Sequence, residues 1–225
     1  MTNLLAIDTS TEACSVALSV NGKTEEIFAV IPRLHSQKVL PAVEQLLTDA
    51  GINRHDIDAI AFGRGPGAFT GIRIATAITQ GLAFALDRPV IPVSSLAALA
   101  QQAVRKHNAT SVLAAIDARM GEVYWGQFTV DSLSGCVQLQ GNEQISKPED
   151  VLIPADESSA CYGIGNGWQY AEMADKNVTT VTKDTFPHAQ DIITLAHPLF
   201  LSGQIVNAEM AIPVYLRNNV ADRKH

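Results

Sequence analysis

The segment Gly63–Arg73 constrains the fold most. Before it, Ile57–Phe62 is an apolar run that reads as a buried strand. Then comes Gly63-Arg64-Gly65-Pro66-Gly67, through which no regular element continues. Beyond it a helix is expected from Thr70 or a neighbour to about Leu86, and between Gly65 and Leu86 the only charge is Arg73. Strand, glycine-rich turn and nearly uncharged helix, in that order, predict an α/β unit whose functional positions lie at the strand's carboxyl end.

The rest of the chain fits this unit. Leu4–Ile7 reads as a buried strand ending at Asp8-Thr9-Ser10. Ala13–Val20 alternates, with Cys14, Val16, Leu18 and Val20 on one face, and Asn21-Gly22 turns it back into Thr24–Ile31. Val39, Val43, Leu46, Leu47 and Ala50 follow helical spacing, and Gly51 is the stop. Pro41 leaves two starts open: Leu40-Pro41 opens the helix, or Ser36 caps it and Pro41 costs a hydrogen bond. Pro89–Val93 is a strand, and Ser94-Ser95 caps a helix to about Val104. Val112–Ile116 ends in Asp117 as Leu4–Ile7 ends in Asp8, and Glu122–Val130 follows as a strand. Later come Ala160–Ile164, the loop Gly163-Ile164-Gly165-Asn166-Gly167, and a helix from His188 to Leu201. The second half therefore reads as a worn copy of the first. Two related α/β lobes are expected, 1–105 and 106–225, with the segment from about 207 to 225 packing back on the first lobe. Residues 131–185 leave the number of strands open.

Composition excludes several classes of function. The 225 residues are 47% hydrophobic, so general disorder is excluded. Lys plus Arg total 16 against 23 Asp plus Glu, a net charge of −7, which argues against a chain that grips nucleic acid alone. Arg105-Lys106-His107 and Arg223-Lys224-His225 read as solvated clusters. Cys14, Cys136 and Cys161 are far apart with no C-x-x-C pair, arguing against a disulfide framework or zinc ribbon. Met1-Thr2-Asn3-Leu4 has no basic region of a signal peptide. Ile74–Leu86 is too short to span a bilayer, and Pro89 and Pro92 interrupt the next uncharged stretch. A soluble, cytoplasmic protein without membrane contact is expected.

The chemistry-bearing residues admit two readings each. Asp8 and Asp117 end strands, where a pair of acids facing a cleft could hold Mg²⁺ through water, or each caps the turn after its strand, as aspartate often does. Arg64, Gly65, Gly67 and Arg73 expose amides and charge to an anion, or the glycines serve close packing. The turn after Asp8 has no glycine and the turn after Asp117 carries Arg119 and Met120, so both are poor phosphate cradles, although Thr9, Ser10 and Thr11 supply hydroxyls. The helix from Thr70 has an apolar stripe of Ile74, Ile78, Leu82 and Ala85 and another of Ile72, Ala75, Ala83 and Leu86. A helix apolar on both sides is buried on both sides, by its own chain or by a partner. Small residues Gly71, Ala75, Thr76 and Thr79 permit close helix approach. His35 has Val39 at i+4, which fails the helical zinc pattern; His188 and His197 share no face.

Leu5-Ala6-Ile7-Asp8-Thr9-Ser10, His35-Ser36, Gly65-Pro66-Gly67-Ala68-Phe69-Thr70-Gly71-Ile72-Arg73, Asp117-Ala118-Arg119-Met120-Gly121-Glu122-Val123-Tyr124 and Pro213-Val214-Tyr215-Leu216-Arg217 together resemble the TsaB (YeaZ) family. The resemblance implies the actin-like, sugar-kinase-like ATPase fold with two lobes of related topology. It implies a non-catalytic subunit of the machinery that makes threonylcarbamoyladenosine in tRNA. Implied partners are the paralogue TsaD, the ATPase TsaE, tRNA through the assembled complex, and a second copy of the chain in isolation. ATP with Mg and a metal are implied for the partner complex and none for this chain alone. The helices at 35–50 and 70–86 are expected to form the partner interface, through His35, Val39, Val43, Ile72, Ala75, Thr76, Ile78, Thr79 and Leu82. Contact of a nucleotide or anion is assigned to Asp8, Thr9, Arg64, Gly65, Gly67, Arg73, Asp117 and Arg119. Three alternatives stand beside this: a phosphotransferase using Asp8 and Asp117, a metallopeptidase-like protein, and direct tRNA contact by Arg64, Arg119 or Arg217.

Overall fold

A computed structural model describes residues 2–152, 161–173, 178 and 180–217. The first lobe runs β1 (Leu4–Asp8), β2 (Ala13–Val20), β3 (Lys23–Val30), α1 (His35–Ala50), β4 (Ala59–Gly63), α2 (Phe69–Leu86) and β5 (Val90–Val93). Then follow α3 (Ser95–His107), β6 (Ser111–Arg119), β7 (Glu122–Val130), β8 (Val137–Ser146), β9 (Tyr162–Ile164), β10 (Thr180–Thr182) and α4 (Ala189–Leu201). Ala160 and the cluster Arg223-Lys224-His225 lie outside the described residues.

Two five-stranded sheets form, ordered β3-β2-β1-β4-β5 and β10-β9-β6-β7-β8. Read from its antiparallel edge, the second sheet has the order of the first. In each, a meander is continued by parallel strands. This is the two-lobed α/β fold, with mixed sheets of related topology, that the resemblance implied.

The alternation read from β2 is the division of the core. Cys14, Val16 and Leu18 join Leu5, Ile7, Ile60 and Phe62 in a core beneath α1 and α2. The opposite face carries Ala6, Ala17, Ala59 and Ala61, small enough for helices to approach closely. Against that face lies α4, although it comes from the second half of the chain. Helix α3, from the first half, packs on β6, β7 and β8, and α3 and α4 touch each other. A single core spans both sheets through these two helices.

Helix α1 differs from both starts that Pro41 allowed. It begins at His35 after Leu34, with no side-chain cap, and Pro41 sits inside it. The carbonyl that Pro41 leaves without its helical partner is that of Gln37, and both residues are exposed. Ser94 caps α3 as expected, accepting from the amide of Ala97 at 3.1 Å.

The helices also turn differently from the expected interface. His35, Val39, Val43, Ile72, Ala75, Thr76 and Thr79 are buried inside the chain. Val39, Val43 and Ala75 hold α1 and α2 onto the first sheet, and Ile72 and His35 turn toward the grooves beside them, so none of the seven lies on an outward helix face. Ile78 and Leu82 are half-buried. The small residues Gly71, Ala75, Thr76 and Thr79 face inward, toward the sheet.

Candidate functional site

The turn after β1 is closed by its own residues. Asp8 is buried; its Oδ1 accepts from the Ser10 amide at 2.9 Å and the Ser10 hydroxyl at 2.8 Å, and its Oδ2 accepts from Ser95 at 3.1 Å. Desolvation outweighs these bonds and raises its pKa from 3.8 to about 6. Thr9 is buried too and donates to the Gly71 carbonyl at 2.7 Å. Here the glycines are packing devices. A Cβ on Gly63 would lie 1.8 Å from Asp8 Oδ2, one on Gly67 2.3 Å from the Ser10 carbonyl, and one on Gly71 2.0 Å from the Thr9 carbonyl. The turns of β1 and β4–α2 are thus pressed together, so the expected anion site at Gly65 and Gly67 and the Mg²⁺ site at Asp8 are corrected to close packing and turn capping. These residues do not fit a polyphosphate with its cation. The Arg64 backbone ties the turn to its neighbours, its amide donating to the Val93 carbonyl and its carbonyl accepting from the Val214 amide, while its charge acts on the Glu143 carboxylate.

Asp117 does face a cleft. Its Oδ1 accepts from Tyr170 at 2.9 Å and from the Arg119 amide at 2.8 Å, and its Oδ2 lies 3.2 Å from the Arg119 guanidinium. A bulge between Asp117 and Arg119 precedes a tip where Arg119 and Met120 adopt positive φ, 63° and 58°. Arg119 also pairs with Glu12 of the first lobe.

The cleft between the lobes has a volume of about 490 Å3. Its walls include Phe69, Ile72 and Arg73 of α2, Ile116 and Tyr124 of the second sheet, and Tyr215 of the C-terminal segment. That segment is a strap. Val206 pairs with Val90, Gln80 donates to the Ala211 carbonyl at 3.0 Å, and the Val214 amide bonds the Arg64 carbonyl at 2.8 Å. The Arg217 guanidinium then reaches the β6–β7 tip, where it bonds the carbonyls of Ala118 and Arg119 and pairs with Glu122. The Arg73 guanidinium lies 3.3 Å above the Phe69 ring and 5.3 Å from that of Tyr215. Arg73 has no acidic partner among the described residues.

A second groove, also about 490 Å3, adjoins the cleft through Thr11, Glu12, Ala68 and Arg119, and is walled by Arg33, His35, Ser36 and Thr70. Arg33, with φ 69°, forms no ion pair among the described residues. Neither α1 nor α2 has a side-chain cap or an acid in its first turn.

The outward face of α2 carries Thr70, Ile74, Ala77, Gly81 and Phe84, a 4-3-4-3 spacing that keeps them in one line. Ala77 and Gly81 are exposed, a Cβ on Gly81 would meet nothing within 4 Å, and Phe84 is 84% exposed. Beside it, α1 exposes Leu40, Pro41, Glu44 and Thr48 around a shallow depression. Sequence reasoning missed Leu40, Phe84 and Arg33. The uncharged run from Gly65 to Leu86 was the available signal for Phe84; nothing in the sequence marked Arg33. Among the described residues no cluster of His, Cys, Asp and Glu is arranged to hold a metal.

Known proteins match along the whole length. The family profile described as "TsaD: tRNA N6-adenosine threonylcarbamoyltransferase" matches residues 26–225. The Escherichia coli tRNA threonylcarbamoyladenosine biosynthesis protein TsaB is 46% identical, covering 98% of this chain and 97% of that protein. The Haemophilus influenzae protein of the same description is 40% identical over 98% of this chain and 96% of its own length. A solved structure of YeaZ from Pseudomonas aeruginosa has a TM-score of 0.92 at 51% identity, covering 96% of this chain and all of that one. With a fold, motifs and relatives that agree from the first strand to the strap, this chain belongs to the TsaB (YeaZ) family of tRNA threonylcarbamoyladenosine biosynthesis proteins.

Proposed function

We propose that this chain is the non-catalytic subunit of the threonylcarbamoyladenosine machinery and that it holds TsaD in a competent shape through the outward face of α1 and α2. The observation that carries this reading is the exposed line of Ala77, Gly81 and Phe84 beside Leu40. Two small residues one turn apart let a partner helix come close, and a protruding phenylalanine anchors it. A second copy takes the same face when TsaD is absent, and TsaE joins the assembled pair. ATP, Mg²⁺ and metal belong to the partners on this reading. The sealed turn at Asp8 speaks against the phosphotransferase alternative, because a buried acid held by Ser10 and Ser95 reaches no substrate.

The double variant Ala77→Arg with Gly81→Arg tests the reading. Both positions are exposed, and arginine favours helix more than glycine, so the fold is retained. Capture of TsaD should weaken at least about a hundredfold, ~3 kcal/mol, and tRNA modification by the reconstituted set should fall with it. Undiminished capture by a variant with an unchanged melting curve overturns the docking face. Threonylcarbamoyl transfer by the isolated chain overturns the non-catalytic role.

A further inference from the structure

We propose that the cleft and its adjoining groove form a binding track for single-stranded RNA, with one unstacked base on the exposed cluster of Tyr215, Phe69 and Arg73 and the backbone running past Arg119 to Arg33. Phe69 and Tyr215 are 51% and 42% exposed, with ring centroids 5.7 Å apart. Arg73 lies over the Phe69 ring and Tyr215 stands tilted at 43° beside the pair; exposed aromatic rings and guanidinium planes are the elements on which single-stranded bases stack. The cleft has room for one: its volume of about 490 Å3 lies within the range of pockets that enclose small ligands.

The charges agree with a strand of phosphates. Arg119 is matched by Glu12 and Asp117, and Arg217 by Glu122. Arg73 and Arg33 have no acidic partner among the described residues. Arg73 lines the cleft and Arg33 the adjoining groove, and both grooves include the start of α2, which has no side-chain cap and where free amides attract anions. Local positive charge on an acidic chain gives a weak track rather than a strong grip. The pressed glycine turns leave no cradle for a polyphosphate, which favours a strand over a free nucleoside triphosphate. The choice of RNA rests on the family's role in tRNA modification; the docking of TsaD is not needed for it.

The test is fluorescence anisotropy of the isolated full-length chain with a labelled single-stranded RNA of about ten nucleotides, at low salt. Tyr215→Ala and Arg73→Ala should each weaken binding by about 5- to 100-fold. Arg33→Ala should reduce the slope of log affinity against log salt by about 0.7. Arg54→Ala, in an exposed turn away from both grooves, should change nothing. If a strap variant loses its melting transition, Arg33→Glu repeats the test outside the strap. Three results overturn the proposal: no binding by the wild-type chain, equal binding by Tyr215→Ala and Arg73→Ala, or displacement of the RNA by AMP at matching concentration, which marks a mononucleotide site instead. Because the chain is assayed alone, failure here leaves the docking reading standing, and failure of TsaD capture leaves this measurement intact.

Discussion

Strands β1 and β6 occupy the same place in two sheets of the same order, and each carries an aspartate near its carboxyl end, Asp8 as the last residue of β1 and Asp117 at the bulge two residues before the end of β6. Asp8 is sealed beneath Ser10 and Ser95 with its acidity weakened by burial, whereas Asp117 lies at the cleft with Arg119 and Tyr170. Related topology has kept the position and separated the roles. In the first lobe the turn has become part of the packing; in the second it has become a presented tip. An aspartate at a strand end therefore carries little functional information until its neighbours are known.

Glycine substitutions should separate the two turns most strongly. Gly71→Ala drives a Cβ to 2.0 Å from the Thr9 backbone and should cost about 3 kcal/mol or more in denaturant unfolding. Gly121→Ala at the second tip meets nothing within 4 Å and has only its φ of 74° to satisfy, about 1–2 kcal/mol. Equal losses would erase the distinction between a packed and a presented turn.

Asp8→Asn should act in the opposite sense. The folded chain binds the Asp8 proton more tightly than the unfolded chain, so this group's contribution is full below about 3.8 and is lost as pH rises through about 6. Asparagine keeps an acceptor for Ser10 and a donor for Ser95 but carries no charge. It should match the wild type near pH 3.5 and exceed it by up to roughly 3 kcal/mol at pH 8. A variant destabilised at every pH would show that the carboxylate is needed as a charge.

The smallest effect belongs to the strap. Arg217→Ala removes bonds to the Ala118 and Arg119 carbonyls and the pair with Glu122, a local loss of about 2 kcal/mol. Amide exchange at the β6–β7 tip should rise while the first sheet keeps its protection. Uniform loss of protection would mean that the strap supports the whole body rather than the tip.

The sequence carried the framework because local patterns decide it. Alternation in Ala13–Val20 reported burial directly, whereas of the two apolar stripes of the helix from Thr70 only that of Ile72, Ala75, Ala83 and Leu86 is buried within the chain, and Ile74, Ile78, Leu82 and Ala85 lie toward the surface. What periodicity does not give is which residues of a doubly apolar helix meet their own sheet. Thr76 and Thr79 are polar yet buried, Thr76 because its hydroxyl bonds the Ile72 carbonyl. The cleft was illegible for another reason. Arg73 meets Tyr215 only after the strap has crossed the molecule, and no spacing rule joins residues so far apart in the chain.

The exchange of α3 and α4 between the sheets has a mechanical consequence. Each half of the polypeptide lends the other the helix that covers its inner surface. Neither can swing away without tearing its own cover from the opposite sheet, so wide opening of the kind a hinged pair of jaws performs is costly here. The molecule is thereby a stiff block, whose two sheets shift together rather than apart.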